Sequence, residues 1–139
     1  QSPKGPTACD QGSTKTYASD KYTFTGEVKM VGANETYLKA EIMTNGPVTV
    51  AFTVYSDFEA YAGGVYIKTP NARPAGGHAV KMVGWGTDAG TDYWLIANSW
   101  NPYWGEKGYF RIARGKNDCG IAESAVAASG DAKWVIPSQ

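Results

Sequence analysis

The sequence predicts an α+β fold: an antiparallel, barrel-like β domain with one main helix. Three observations predict it. Residues 48–54 (Val-Thr-Val-Ala-Phe-Thr-Val) alternate with period two and are rich in β-branched side chains, as a strand requires. Two apolar runs, 79–85 and 93–97, flank a turn-rich cluster at 87–92, like the arms of a hairpin. A single helix signal follows Asn34, which serves as cap, with Glu35 at the positive end and Leu38, Ile42 and Met43 as the apolar stripe. One helix among several strands argues against a βαβ arrangement.

Residues 1–33 carry little periodicity and read as an extended arm with a strand around 22–30, anchored by Tyr17, Tyr22 and Phe24. Residues 34–139 then form the β-rich domain. Asn45-Gly46-Pro47 stops the helix, since Pro47 cannot continue it and Gly46 suits a left-handed cap. Residues 57–61 make at most a helical turn, and 68–75 a loop. After the hairpin, 101–108 is a turn-rich excursion. Residues 109–114 are a strand, apolar at Tyr109 or Phe110 and at Ile112, and 124–128 is expected to close the sheet. No internal repeat interrupts this order.

The totals bound the function. The chain has 139 residues, 42% of them hydrophobic, which suits one domain with a core. Net charge is zero, so neither nucleic acid nor an anionic membrane surface is indicated as a partner. No apolar run approaches the roughly 18–20 residues of a membrane helix. The start, Gln1-Ser2-Pro3-Lys4, is polar and unlike a signal peptide, so a secreted or lysosomal protein would show here as a processed or engineered piece. No metal or cofactor is implied. Cys9 and Cys119 form either one long-range disulfide or two free thiols. Asn34-Glu35-Thr36 is a sequon that makes Asn34 a candidate glycosylation site on a surface turn.

His78 is the only histidine, and Asn98 follows it by twenty residues. A hairpin of this length sets the start of one arm beside the end of the other, making the two neighbours. A carboxamide beside an imidazole accepts one ring N–H and leaves the other nitrogen to act on a thiol. The alternative is a strand histidine that is hydrogen-bonded and structural. Gly76-Gly77, which would allow close backbone approach, and the nearby Trp100 and Trp104, which would roof the pair against water, favour the first reading.

These residues resemble the C-terminal half of a papain-like cysteine peptidase, and most of all the cathepsin B-like group. The resemblance is carried by Asn45-Gly46-Pro47, Gly76-Gly77-His78-Ala79-Val80, Gly84-Trp85-Gly86, Tyr93-Trp94-Leu95-Ile96-Ala97-Asn98-Ser99-Trp100, Trp104-Gly105, Gly108-Tyr109-Phe110 and Asp118-Cys119-Gly120-Ile121, in order. It implies peptide-bond hydrolysis through a thiolate–imidazolium pair, with His78 as general acid/base and Asn98 as its orienter. It implies further that Trp100 shields that pair, that Trp104 lines the leaving-group side, and that Gly77, Ala79 and Ser124 border the substrate. Ser124 replaces a glutamate at the base of the main specificity pocket in cathepsin B, which points to apolar rather than arginine side chains there.

The nucleophilic cysteine of the family heads a helix within a Gln…Cys-Gly-Ser-Cys-Trp type motif, and no such motif occurs in this chain. The resemblance therefore implies a separate N-terminal half that supplies nucleophile and oxyanion hole, and no turnover from this chain alone. It also implies that both cysteines are unpaired within the chain. Peptide or protein substrates, cystatin-type inhibitors, a lysosomal or secreted location, and self-association or domain exchange of the isolated half follow from it as well. Two competing readings are a non-catalytic relative acting in binding and a secreted structural or lectin-like β domain. Retention of His78 and Asn98 favours the peptidase.

Overall fold

A computed structural model describes residues 4–24, 26–128, 130 and 132–134. In order come β1 (Tyr22–Phe24), β2 (Val28–Met30), α1 (Glu35–Asn45), β3 (Val48–Tyr55), β4 (Val65–Tyr66), β5 (Pro74–Asp88), β6 (Thr91–Ala97), β7 (Tyr109–Ala113), β8 (Val126–Ala128) and β9 (Ala132–Trp134). The chain forms two compact units, residues 1–27 with 129–139, and Val28–Ala128. In the first, β1 pairs antiparallel with β9. The second holds a sheet of order β2-β8-β3-β5-β6-β7-β4. The single strand expected over 22–30 is thus two strands in different units, with a bend at Gly26 between them.

The sheet departs from the expected antiparallel barrel. It is open, with β2 and β4 at its edges, and β8, expected to close it, lies between β2 and β3. It is also mixed, because β4 runs parallel to β7. A parallel neighbour needs a long crossover connection, and here the whole β5–β6 hairpin lies between β4 and β7.

Alternation builds the core. Val48, Val50, Phe52 and Val54 of β3 are buried, and Val80 and Met82 of β5 meet them across the ladder. Trp94 and Ile96 of β6 and Phe110 and Ile112 of β7 continue the same face. Tyr109, at 43% exposure, points away, which decides the alternative left open for β7. No polar or charged residue is buried among the described residues.

One residue sets the register. Asp88 pairs with Thr91 and Gly84 with Leu95, but Met82 pairs with Ile96, so Val83 is an extra residue in β5. A bulge of this kind exchanges the two faces of a strand. Trp85 shares a face with Trp94 above it, and Met82, Val80 and His78 share that face below it. The hairpin end is tighter than its loop-like residues suggest. Thr87, Asp88, Thr91 and Asp92 are all paired, and only Ala89 (φ 46°) and Gly90 (φ 80°) turn. Positive φ at both central residues is the type I′ pattern, whose twist matches the strands.

In α1, the Asn34 side chain accepts the Tyr37 N–H, as the sequence predicts. Leu38 is buried, but Ile42 is only partly so and Met43 is 77% exposed, so the helix buries a narrower stripe than expected. Gly46 has φ 101° and ψ −168°, outside the left-handed helical well, yet its N–H still reaches the Ile42 carbonyl. Arg114 fastens the helix start to the hairpin, pairing with Glu35 at 3.0 Å and Asp92 at 2.8 Å.

A second ion pair shapes the 98–108 excursion. Glu106 receives the Arg111 fork, with contacts of 2.6 to 3.2 Å, and also accepts the Gly64 N–H at 3.0 Å. The Tyr61 hydroxyl donates to the Gly64 carbonyl at 2.6 Å. Gly105 (φ +60°) lies so close to Tyr109 that a Cβ would stand 2.6 Å from its carbonyl oxygen, so no other residue fits. The hydrogen bonds from Arg111, helped by the Gly64 N–H, outweigh burial and hold the Glu106 carboxyl below the usual range.

Two measurements test these elements. Gly90→Val should cost about 1–2 kcal/mol in urea unfolding, because an L side chain resists the left-handed region, whereas Ala89→Asn should not destabilise. A carboxylate with a depressed folded pKa contributes stability above the ordinary glutamate value of about 4.3, and that contribution is lost as pH falls through the folded value. Glu106→Gln should therefore lower the melting temperature near neutral pH, and the gap to the unsubstituted chain should close on acidification below about pH 4. A gap that stays constant with pH would contradict the ion-pair account.

Candidate active site

His78 lies in β5 opposite Phe52 of β3, and Asn98 directly follows β6. The β5–β6 register brings them together, with His78 Nε2 at 2.8 Å from Asn98 Oδ1. The Ser99 backbone N–H also points at that oxygen, at 2.8 Å. A backbone N–H can only donate, so the atom it meets is the carboxamide oxygen. The same oxygen can only accept, so Nε2 of His78 carries the hydrogen and donates it. In the neutral ring, Nδ1 is then the atom with a free lone pair. Asn98 Nδ2 is buried without a hydrogen-bond partner among the described residues, leaving the amide held through its oxygen.

The backbone fixes Asn98 from both sides. Its N–H donates to the Gly108 carbonyl at 3.0 Å, and Gly108 N–H returns to the Trp104 carbonyl at 2.8 Å. Asn101 Oδ1 accepts the N–H groups of Tyr103 and Trp104, each at 2.9 Å, tightening the turn. The indole of Trp100 stacks on the His78 ring, centroids 5.4 Å apart and planes 24° off parallel. Trp104 does not touch the histidine in this way. It braces Trp100 edge-on at 4.8 Å, and its indole N–H donates to the Glu59 carbonyl at 2.9 Å. Behind both, Phe58 meets Trp100 at 5.6 Å, Trp104 at 5.0 Å and Phe52 at 5.1 Å. Trp100 keeps 38% of its surface exposed, so the roof over the pair is one ring, supported by a second.

The remaining predicted positions are dispersed. Gly77 and Ser124 border one shallow depression with Ala51, Phe52 and Cys119. Ala79 faces a neighbouring one with Thr49, Asn98 and Ser99, so Ala79 and Ser124 do not share a pocket within the described residues. Gly77 and Ala79 alternate with His78 along β5, which turns them to the other side of the strand. Among the described residues a Cβ at Gly76 or Gly77 would meet nothing within 4 Å, so no close approach of the kind expected there is seen; Gly76 adopts φ +129°.

Both cysteines are free thiols. Burial, with Asp118 adding to it, pushes the Cys119 thiol up to about 11, so it is neutral at ordinary pH. Nearby, burial pushes the Asp57 carboxyl up, but hydrogen bonds from the Thr69 N–H at 2.9 Å and the Tyr66 hydroxyl at 2.7 Å outweigh it and hold it low. Burial, reinforced by Asp57, raises the Tyr66 hydroxyl in turn. No group of histidines, cysteines and carboxylates capable of holding a metal occurs among the described residues. Sequence reasoning missed Phe52, Phe58 and the Ser99 N–H as parts of the site. Alternation marked Phe52 as inward-facing, but no sequence signal said that β3 would lie beside β5.

Comparison with known proteins agrees with this architecture. Residues 3–129 match the family described as papain family cysteine protease. The chain is 59% identical over 111 residues to cathepsin B-like cysteine proteinase 5 of Caenorhabditis elegans, covering 80% of this chain and 32% of that protein. It is 46% identical over 127 residues to cathepsin B-like cysteine proteinase 3 of Ostertagia ostertagi, covering 91% and 72%. The structure of proCathepsin B S9 from Trypanosoma congolense superposes with a TM-score of 0.82 at 37% identity, over 93% of this chain and 42% of that one. The bromelain protease of Ananas comosus, in complex with the E64 inhibitor, gives 0.65 at 32% identity, over 78% and 51%. The chain thus spans about a third of the length (32%) of the nematode relative it matches at 59%. It belongs to the papain family of cysteine peptidases, within the cathepsin B-like group.

Proposed function

We propose that this chain supplies the acid/base half of a cysteine peptidase: His78 exchanges the proton, Asn98 aims it, and a thiolate from a segment outside this sequence attacks the peptide. The observation that carries the reading is the 2.8 Å contact with fixed polarity, Nε2–H to Oδ1. It supports Nδ1 as the atom that does the chemistry. The external thiolate adds to the scissile carbonyl, and Nδ1–H delivers its proton to the leaving amine, giving a thioester. Nδ1 then takes a proton from water as the water attacks that thioester, and the acid leaves with the thiolate restored. The imidazolium formed during this cycle is stabilised by the Asn98 oxygen.

Neither thiol of the chain suits the nucleophile's part. Cys119 is held neutral by burial, and Cys9 lies in an irregular segment without the helix N-terminus that lowers a thiol's pKa. Gly77, Ala79 and Ser124 would border the substrate once a second wall completes their depressions, with Trp100 and Trp104 on the leaving-group side. That second wall is the partner half. Trp100, Tyr103 (94% exposed) and Tyr109 leave aromatic surface for it or for a second copy of the chain. A lysosomal or secreted setting, peptide substrates and cystatin-type inhibitors belong to the same reading.

The chain by itself should give no turnover of a dipeptide–aminomethylcoumarin substrate. In the full-length protein His78→Ala should lower kcat/KM by about 10²–10⁴. Asn98→Ala should cost less, about 10²-fold or below, through misplacement of the ring. Turnover by the isolated chain that an epoxide thiol inhibitor abolishes, or a full-length His78→Ala enzyme of undiminished rate, would overturn the reading. A Ser or Gly encoded where the upstream nucleophile belongs would make the protein a binding relative instead.

A further inference from the structure

The residue that caps α1 also opens a glycosylation sequon. Asn34-Glu35-Thr36 is the only Asn-X-Ser/Thr triplet in the sequence. The structure places it where α1 begins, with Asn34 in extended backbone (φ −78°, ψ 113°) and both Asn34 and Thr36 exposed. The two ends of the Asn34 carboxamide have different fates. Oδ1 accepts the Tyr37 N–H at 3.1 Å, while the Asn34 backbone carbonyl accepts the Leu38 N–H at 2.9 Å. Nδ2 has no hydrogen-bond partner among the described residues.

We infer that Asn34 carries an Asn-linked oligosaccharide and caps α1 at the same time, its oxygen serving the helix and its nitrogen the sugar. The chemistry permits both. Transfer from a lipid pyrophosphate-linked oligosaccharide forms a bond between Nδ2 and C1 of the first sugar. The C1–O bond to the pyrophosphate breaks, and the lipid pyrophosphate leaves with the bonding pair. Nδ2 gives up one proton to the transferring enzyme's base. The product is a secondary amide whose carbonyl oxygen keeps its lone pairs, so the hydrogen bond from Tyr37 survives. The reverse orientation could not serve both ends, since the amide nitrogen cannot accept the helix N–H groups. The inference does not depend on the peptidase reading and needs only a chain routed through the secretory pathway.

The test is to secrete the full sequence from a eukaryotic host behind a cleavable leader. The mobility of the product before and after peptide-N-glycosidase treatment is read together with exchange of the Tyr37 amide. The unsubstituted chain should shift on treatment, and Thr36→Val and Asn34→Asp should not. Tyr37 should stay equally protected in the glycosylated chain, in Thr36→Val and in Asn34→Asp, where a carboxylate caps as well. In Asn34→Ala it should exchange roughly fivefold faster, the loss expected of a missing cap. A secreted chain without sugar at Asn34 would overturn the inference. So would a Thr36→Val chain that still shifts, or a glycosylated chain whose Tyr37 amide exchanges as fast as that of Asn34→Ala.

Discussion

The extra residue in β5 governs where everything else points. From the hairpin turn to Gly84 the two arms pair in one register, and from Met82 downward in another, with Val83 absorbing the difference. Because side chains alternate, a single inserted residue exchanges the inner and outer faces of the strand. Trp85 can therefore lie against Trp94, 6.3 Å between centroids, while Met82, Val80 and His78 still face the core side. Had β5 run without the bulge, burying Trp85 would have turned His78 away from Asn98.

Around that register the structure assembles support in layers. The imidazole has Phe52 on the adjoining strand, 6.0 Å away, and Trp100 over its face. Trp100 rests on Trp104 and Phe58, and Phe58 is fully buried. The excursion that carries both tryptophans returns to β7 through Gly105 and Glu106, and Arg111 of β7 grips Glu106. Aromatic rings fix position by contact over a large area, with a modest edge-to-face preference of about 1 kcal/mol per pair. Hydrogen bonds and the ion pair supply direction. The combination holds one polar pair in order at the margin of an apolar core that otherwise contains no polar side chain among the described residues.

The same arrangement explains why the site looks unfinished. His78 and Asn98 stand in hydrogen-bond contact, yet Cys119, the thiol of this unit, is kept protonated by burial. Depressions beside Gly77 and beside Ala79 are shallow and separate. The nematode relative is about two and a half times as long as this chain, which covers 32% of it. A cleft built at the seam of two halves would give each half one wall, and a wall alone has aromatic surface with nothing against it.

Much of this was legible in the residues themselves. Alternation marked β3 and β7, apolar runs around a turn marked the β5–β6 hairpin, the Asn34 cap and Pro47 bounded the helix, and spacing joined His78 to Asn98 through the hairpin. These are local signals, set by side-chain period, backbone chemistry and chain length between two points. Four features were not local. The bulge at Val83 is written in no turn residue and places Trp85 on the same face as Trp94, Met82 and Val80. The placement of β8 inside an open sheet, and of β4 parallel to β7, depends on which strands meet, and strand alternation is blind to neighbours. The narrow burial of α1, with Met43 left outside, reflects how little of the helix the sheet covers. Finally, the polarity of the Asn98 amide rests on a backbone N–H of the next residue, whose direction only the folded loop decides. Sequence alone thus determined which side chains could form the pair; the tertiary register determined that they do, because only packing of the whole core chooses among the pairings that each strand would separately accept.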